Sequence, residues 1–321
     1  MRGSGRERIA RAALAAAIAG LPAGAAAEPP DIAYDQAQRI FFGQAAPAPQ
    51  PFDAFLASFA APADPGTTYP PVGGIALPTD APTLARLRAG LTYRVSYLGT
   101  SVRIDDPAAQ RATIGRRDPA RVLYLDLAHR TYRTVTGDAA TALLANDLFA
   151  SIRAIASAAP VTTGSGDSEV LALDRSFATL DPVEIDGLAT HGSRVETTTK
   201  PVSHTGACPE LTSTATIVSY VDPARDERTQ TAPIPTDPND ILKSLPQSRC
   251  RFRFAGEPPP VPASPDRGRF AIFTSASISF SIPQLAAPVV TSQVVERGHF
   301  RTLGPEDAAR FELPPGFREV P

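Results

Sequence analysis

Only two cysteines, Cys208 and Cys250, occur in 321 residues. That is too few for zinc modules built on close cysteine pairs. Lysine is almost missing: Lys200 and Lys243 stand alone, and arginine supplies the other basic side chains, a bias of coding rather than of function. An excess of either charge is missing too. Thirty-one basic and 33 acidic residues leave a net charge of −2, so no global field draws nucleic acid. The four histidines, His129, His191, His204 and His299, lie far apart, and none has the i, i+4 spacing of a zinc hydrolase helix. Asp222, Asp226 and Glu227 cluster, but without the alternating ladder and central glycine of a calcium loop. Neither a metal nor a cofactor is expected. No repeat of fixed period occurs, and past residue 21 no segment is apolar enough to cross a membrane.

What is present begins at the N-terminus. Arg2, Arg6, Arg8 and Arg11 precede an apolar run from Ala12 to Leu21. Pro22 breaks the run, and Ala25-Ala26-Ala27 offers small residues before Glu28. This order predicts a secretory signal peptide over 1–27, cleaved at about Ala27. The expected product is an exported chain, periplasmic or secreted, soluble from Glu28 onward. In an oxidising compartment an isolated cysteine pair points to a disulfide between Cys208 and Cys250, worth roughly 4 kcal/mol on the chain-entropy model. Metal binding with His204 is the alternative, but it lacks a full ligand set.

The body of the chain divides in two. Residues 28–82 are rich in Ala and Pro and read as a lead-in with two short helices. One runs from Tyr34 to Phe42; the other carries Phe52, Phe55, Leu56 and Phe59 at helical spacing. Residues 83–321 read as an antiparallel β domain. Tyr93, Val95 and Tyr97 alternate with polar residues. Arg111, Arg116, Arg117 and Arg121 read as a crowded loop. Val122–Leu127 and Thr131–Val135 form a hairpin. Asp138 caps a helix with Leu144, Leu148, Ile152 and Ile155 in one stripe. Asp186-Gly187 marks a tight type I′ turn. Leu211–Val221 is a strand, Asp222–Arg228 a charged turn, and Arg249, Arg251 and Arg253 alternate with Cys250, Phe252 and Phe254. Phe270–Ile282 is the longest strand candidate, with Phe270, Ile272, Ile278 and Phe280 on one side and Phe273 the exception. Val289–Leu303 is its partner. Phe311–Phe317 is an apolar tail able to pack back. The fold class expected is mainly β, α+β in detail: a curved antiparallel sheet or half-barrel with one or two amphipathic helices packed on it.

Gly166-Asp167-Ser168 is similar to the nucleophile motif of GDSL-type esterases, and Asp126-x-x-His129 supplies an acid and a base. In that family those two follow the serine; here they precede it, so the tripeptide reads as plain loop. The arginines have two readings. They could meet phosphate or carboxylate head groups of a lipid or membrane surface. They could equally be a solvated loop and a charge-blunted sheet edge.

From about Leu84 the layout resembles the half-barrel lipid carriers of the LolA/LppX type. The resemblance rests on the signal peptide, the strand Thr92–Tyr97, the pair Leu123-Tyr124-Leu125-Asp126 and Thr131–Val135, the hairpin at Ile185-Asp186-Gly187 and the tail Phe311–Phe317. The Pro-rich insert between Pro233 and Pro265 departs from that family. The resemblance implies a strongly curved sheet with helices over an apolar face where acyl chains lie. The expected function is non-catalytic binding of a lipid or other apolar ligand. Phe270, Ile272, Ile278 and Phe280 would line the cavity, with Arg249, Arg251 and Arg253 at the head group. The alternatives are an envelope structural or adhesion protein with a packed β core and, third, a hydrolase built on Ser168.

Overall fold

The computed structural model describes residues 31–60, 75–76, 86, 88–137, 140, 161–162, 165–205, 212–226, 249–254, 266, 268–281 and 288–320. The elements in chain order are β1 (Ile32–Phe42), α1 (Phe52–Ala57), β2 (Ile75–Ala76), β3 (Leu91–Leu98), β4 (Ser101–Asp106), β5 (Arg111–Arg117), β6 (Ala120–Asp126), β7 (Thr131–Thr136), β8 (Val161–Thr162), β9 (Ser165–Ile185), β10 (Leu188–His204), β11 (Thr212–Asp226), β12 (Arg249–Phe254), β13 (Arg269–Ser281), β14 (Val289–Thr302) and β15 (Arg318–Glu319). A 3-10 turn, Pro305–Phe311, follows β14.

Thirteen of the strands form one curved, open sheet in the order β12-β9-β10-β11-β13-β14-β1-β3-β4-β5-β6-β7-β15; β2 and β8 pair separately. Every contact in the large sheet is antiparallel except at its two ends, where β12 runs parallel to β9 and β15 parallel to β7. The mainly β class is therefore as the alternation predicts. The Asp186-Gly187 turn is as well: Ile185 pairs with Leu188, and the two turn residues have φ of 49° and 75°, the left-handed pair a type I′ turn requires.

Tyr34–Phe42 is a correction. It is not a helix but the body of β1, paired with β14 on one side and β3 on the other. Its neighbours cover both faces, burying Tyr34, Ala37, Gln38, Arg39 and Ile40 alike, and a strand buried on both faces loses the period-two signature. The lead-in is thus the middle of the sheet. The second helix stands: Phe52 and Phe55, at 1% and 0% exposure, anchor α1 against the sheet. The expected arginine loop is a second correction. Arg111–Arg117 is β5, and the arginines flank a buried stretch, Ala112–Gly115. The charged turn after Val221 is the end of β11, which runs on to Asp226 through an irregularity after Asp222. Gly166-Asp167-Ser168 lies inside β9 rather than in a loop. The helix expected after Asp138 lies outside the described residues.

The tail packs back. Leu313 and Phe317 lie on a cluster of Ala112, Ile114, Leu123 and Leu125, and Phe311 packs with Ala33 and Leu303.

Candidate ligand-binding face

One face of the sheet carries most of its aromatic residues. Tyr34, Tyr93, Val95, Tyr97, Val102, Ile104, Phe270 and Ile272 belong to a single buried cluster. Tyr34 meets Phe270 edge-on with centroids 5.3 Å apart, and Phe300 completes the group at 5.9 Å from Phe270. Two arginines lie over these rings. The Arg297 guanidinium sits 4.8 Å from the Phe270 centroid and 5.5 Å from that of Tyr34. The Arg225 guanidinium sits 5.0 Å from Phe300 and 5.6 Å from Phe270. Such stacking suits the weakly hydrated guanidinium. Arg297 also donates to Gln36 Oε1 at 3.3 Å and to the Ala271 carbonyl at 2.9 Å, which fixes its position.

The same face continues towards β9 with less cover. Register aligns Phe177, Val195, Ile217, Ala276, Gln293 and Ile40 in one row across β9, β10, β11, β13, β14 and β1. Phe177, Val195 and Ala276 are half-buried, Ile217 is 38% exposed, and Ile40 is only 2% exposed. The next row holds Arg175, Thr197, Ala215, Ile278 and Thr291. Within this apolar field two polar side chains are unsatisfied. Gln293 and Thr291, at 3% and 1% exposure, have no hydrogen-bond partner for Oε1 and Oγ1 among the described residues.

The opposite face is closed by a strap, residues 43–60 with α1 at its end. Phe52 lies directly on Gly298, where an added Cβ would come within 2.5 Å of the ring; only glycine permits that approach. Asp186, from the β9–β10 turn, accepts the Phe52 backbone N–H at 3.2 Å. His299 bridges the strap to the sheet, with Nδ1 3.0 Å from Asp35 and Nε2 3.1 Å from Asp53. Its pKa is raised, chiefly by the Asp35 hydrogen bond. A raised base stabilises the fold below its unfolded pKa and loses that contribution as pH climbs through the folded value. Arg39 donates to the Arg88 and Ser58 carbonyls at 3.0 and 2.6 Å, and burial lowers its pKa. Beneath the strap lies Glu296, at 2% exposure, with no close partner for either carboxylate oxygen among the described residues. Burial pushes its pKa up to about 8. The Gln50 backbone amide offsets part of this, and the charge of Asp186 adds to it.

The structure treats the expected site residues unequally. Phe270 and Ile272 are buried in the aromatic cluster, and Ile278 is half-buried further along the same strand. Phe280 pairs through its backbone with Ser213 and Val289; its side chain is outside the described set. Arg249, Arg251 and Arg253 lie on β12, at the far edge, with β9, β10 and β11 between them and β13. At about 4.8 Å per strand that is roughly 19 Å across the sheet to β13, and the registers set β12 level with the Ser281 end of β13, away from Phe270. Arg225 and Arg297 are the arginines that lie over the aromatic cluster. Arg225 was hidden in what reads as a charged turn. Arg297 and Gln293 alternate with Val294 and Glu296 on a strand whose sequence shows no clean division into apolar and polar sides. The Cys208–Cys250 pairing lies outside the described residues; the Cys250 backbone pairs with Gly166.

Ser168 is opposite His204 in register, with both side chains outside the described set. Asp126 and His129 form a local contact at 2.9 Å in the exposed β6–β7 turn, far along the sheet order from β9. The His129 hydrogen bonds, backbone first, lower the Asp126 pKa. No cluster of three metal-ligating side chains occurs among the described residues, and no described helix is long and apolar enough to cross a membrane. No protein-family model matches the chain, and neither curated proteins nor solved structures give a significant match.

Proposed function

We propose that this chain is an exported, non-catalytic binding protein for a lipid or other apolar ligand, as its resemblance to half-barrel lipid carriers implies. The ligand lies along the face that carries Phe177, Val195, Ile217, Ala276 and Ile278. The observation that supports this reading is the apolar register row from Phe177 to Ile40. It runs unbroken except at Gln293, from half-covered strands into the buried aromatic cluster. An apolar wall with few polar groups is the usual lining of a small-molecule site. Arg225 and Arg297, held on the rings of Phe270, Phe300 and Tyr34, are placed for a head group at one end. The second reading, a structural or adhesive envelope protein, draws on the near-complete burial of Tyr93, Val95, Tyr97 and Val102, as in an ordinary packed core.

Native mass spectrometry on protein exported to a bacterial periplasm and purified without detergent separates the two. The expected result is a stoichiometric lipid adduct that is lost in Ile217→Asp. Ile217 is already partly exposed, so that variant should fold. A bare mass, with no uptake of added phospholipid or fatty acid, would leave the structural reading standing.

A further inference from the structure

We propose that Gln293 and Thr291 form a polar subsite within the apolar face, built to hold one uncharged hydrogen-bonding group, a hydroxyl or an amide, on an otherwise apolar ligand. The inference rests on the ligand-binding reading above and names its ligand class.

The two residues stand at alternate positions of β14, so their side chains leave the same face of the sheet. Their α-carbons are about 7 Å apart at the usual rise of a strand, a span that one small polar group can bridge. Gln293 has Ala276 and Ile40 as register partners, and Thr291 has Ile278 and Phe42. None of these four can hydrogen-bond through a side chain. Both polar residues are more than nine-tenths buried, and Gln293 Oε1 and Thr291 Oγ1 have no partner among the described residues. Buried polar atoms are almost always paired, and an unpaired one calls for an explanation such as a water or a ligand.

The chemistry defines what fits. Gln293 Oε1 accepts a hydrogen bond, so the guest must offer an O–H or N–H. The Thr291 hydroxyl can donate in return, so the guest must also offer a lone pair. No cationic side chain is a register neighbour of either residue; Arg175, the cation in the Thr291 row, lies on β9, with β10, β11 and β13 between. An ionised carboxylate or phosphate would therefore be buried without a counter-charge, which is costly. Glu296, a buried acid with no close partner among the described residues, lies on the opposite face and takes no part.

The test is displacement of the uncharged dye phenylnaphthylamine from the full exported chain. The competitors are a long-chain primary alcohol, the alkane of equal length and the fatty-acid anion of equal length. The alcohol should bind roughly tenfold or more tighter than the alkane, the effect of a hydrogen bond made in place of a buried unpaired group; the fatty-acid anion, whose carboxylate goes to Arg225 and Arg297 instead, should be unaffected by Gln293→Leu. In Gln293→Leu the alcohol should fall to the level of the alkane, while alkane affinity holds or rises. Thr291→Val, close to isosteric, should show a smaller loss in the same direction should Gln293→Leu fail to fold. Equal binding of alcohol and alkane by the wild type, or a preference for the alcohol that survives in both variants, would overturn the subsite and leave the ligand-binding reading intact. Absence of binding by all three chains, and by the dye, would overturn that reading and the subsite with it.

Discussion

Glu296→Gln should stabilise the protein by roughly 3–5 kcal/mol at about pH 9 and change little at about pH 4. The folded chain holds this carboxyl at a pKa of about 8 against an ordinary value of 4.5. Between those values the unfolded chain has released the proton and the folded chain has kept it. Stability therefore falls as pH rises through that interval, at about 1.4 kcal/mol per pH unit, and levels off above it. Below it both states are protonated, and glutamine is nearly a substitute for the neutral acid. The groups around the strap are shared by the two proteins. His299 and Arg39 are present in both and drop out of the difference, whereas the charge of Asp186, which helps to raise Glu296, is part of it. Denaturant unfolding at about pH 4, 6.5 and 9 is the measurement. Wild-type and variant curves that stay parallel across the range would mean that Glu296 ionises freely in the folded state.

Phe55→Ala should cost about 3–5 kcal/mol, the usual range for a large aromatic removed from a closed core. The ring is fully buried and meets Phe59 edge-on at 5.0 Å. The helix that carries it has six residues, too short to hold itself together in water. Its shape thus depends on what it touches: Phe52 on Gly298, Asp186 at its first N–H, His299 at Asp53. With Phe55 gone, the strap over Glu296 loosens as a unit. Asp53→Asn, at an exposed position, is the matched control and should cost less than about 1 kcal/mol. A loss for Phe55→Ala as small as the control would mean that the strap contributes little to the fold.

Some of this was readable in the residues and some was not, for physical reasons. Strands with one face less covered than the other show their period, so β3 and β13 stand out through Tyr93, Val95 and Tyr97 and through Phe270 to Ile278. Asp186-Gly187 is legible because few residues accept left-handed backbone. Phe52 and Phe55 betray α1 because a surface helix must bury a stripe. β1 is silent, since a strand enclosed on both faces and both edges has no polar side to alternate with. β5 is masked by arginines at its ends, which outweigh the short buried stretch between them. Arg225 and Arg297 could not be placed at the aromatic cluster, because the strand order that brings β11, β13, β14 and β1 together is a property of long-range pairing. Gln293 and Thr291 look like any solvated positions until that pairing buries them.

The position of β1 also orders events in time. Ile32 lies opposite Thr302, and Phe42 opposite Thr291, so β1 waits for a strand made long after it. The β3–β7 ladder and the β9–β10 hairpin can each assemble from neighbouring segments soon after synthesis. The seam that joins them, β14 to β1, cannot close until β14 has been made, and joining distant segments is the slow part of folding. Until then the two halves remain separable, each free to move without the other.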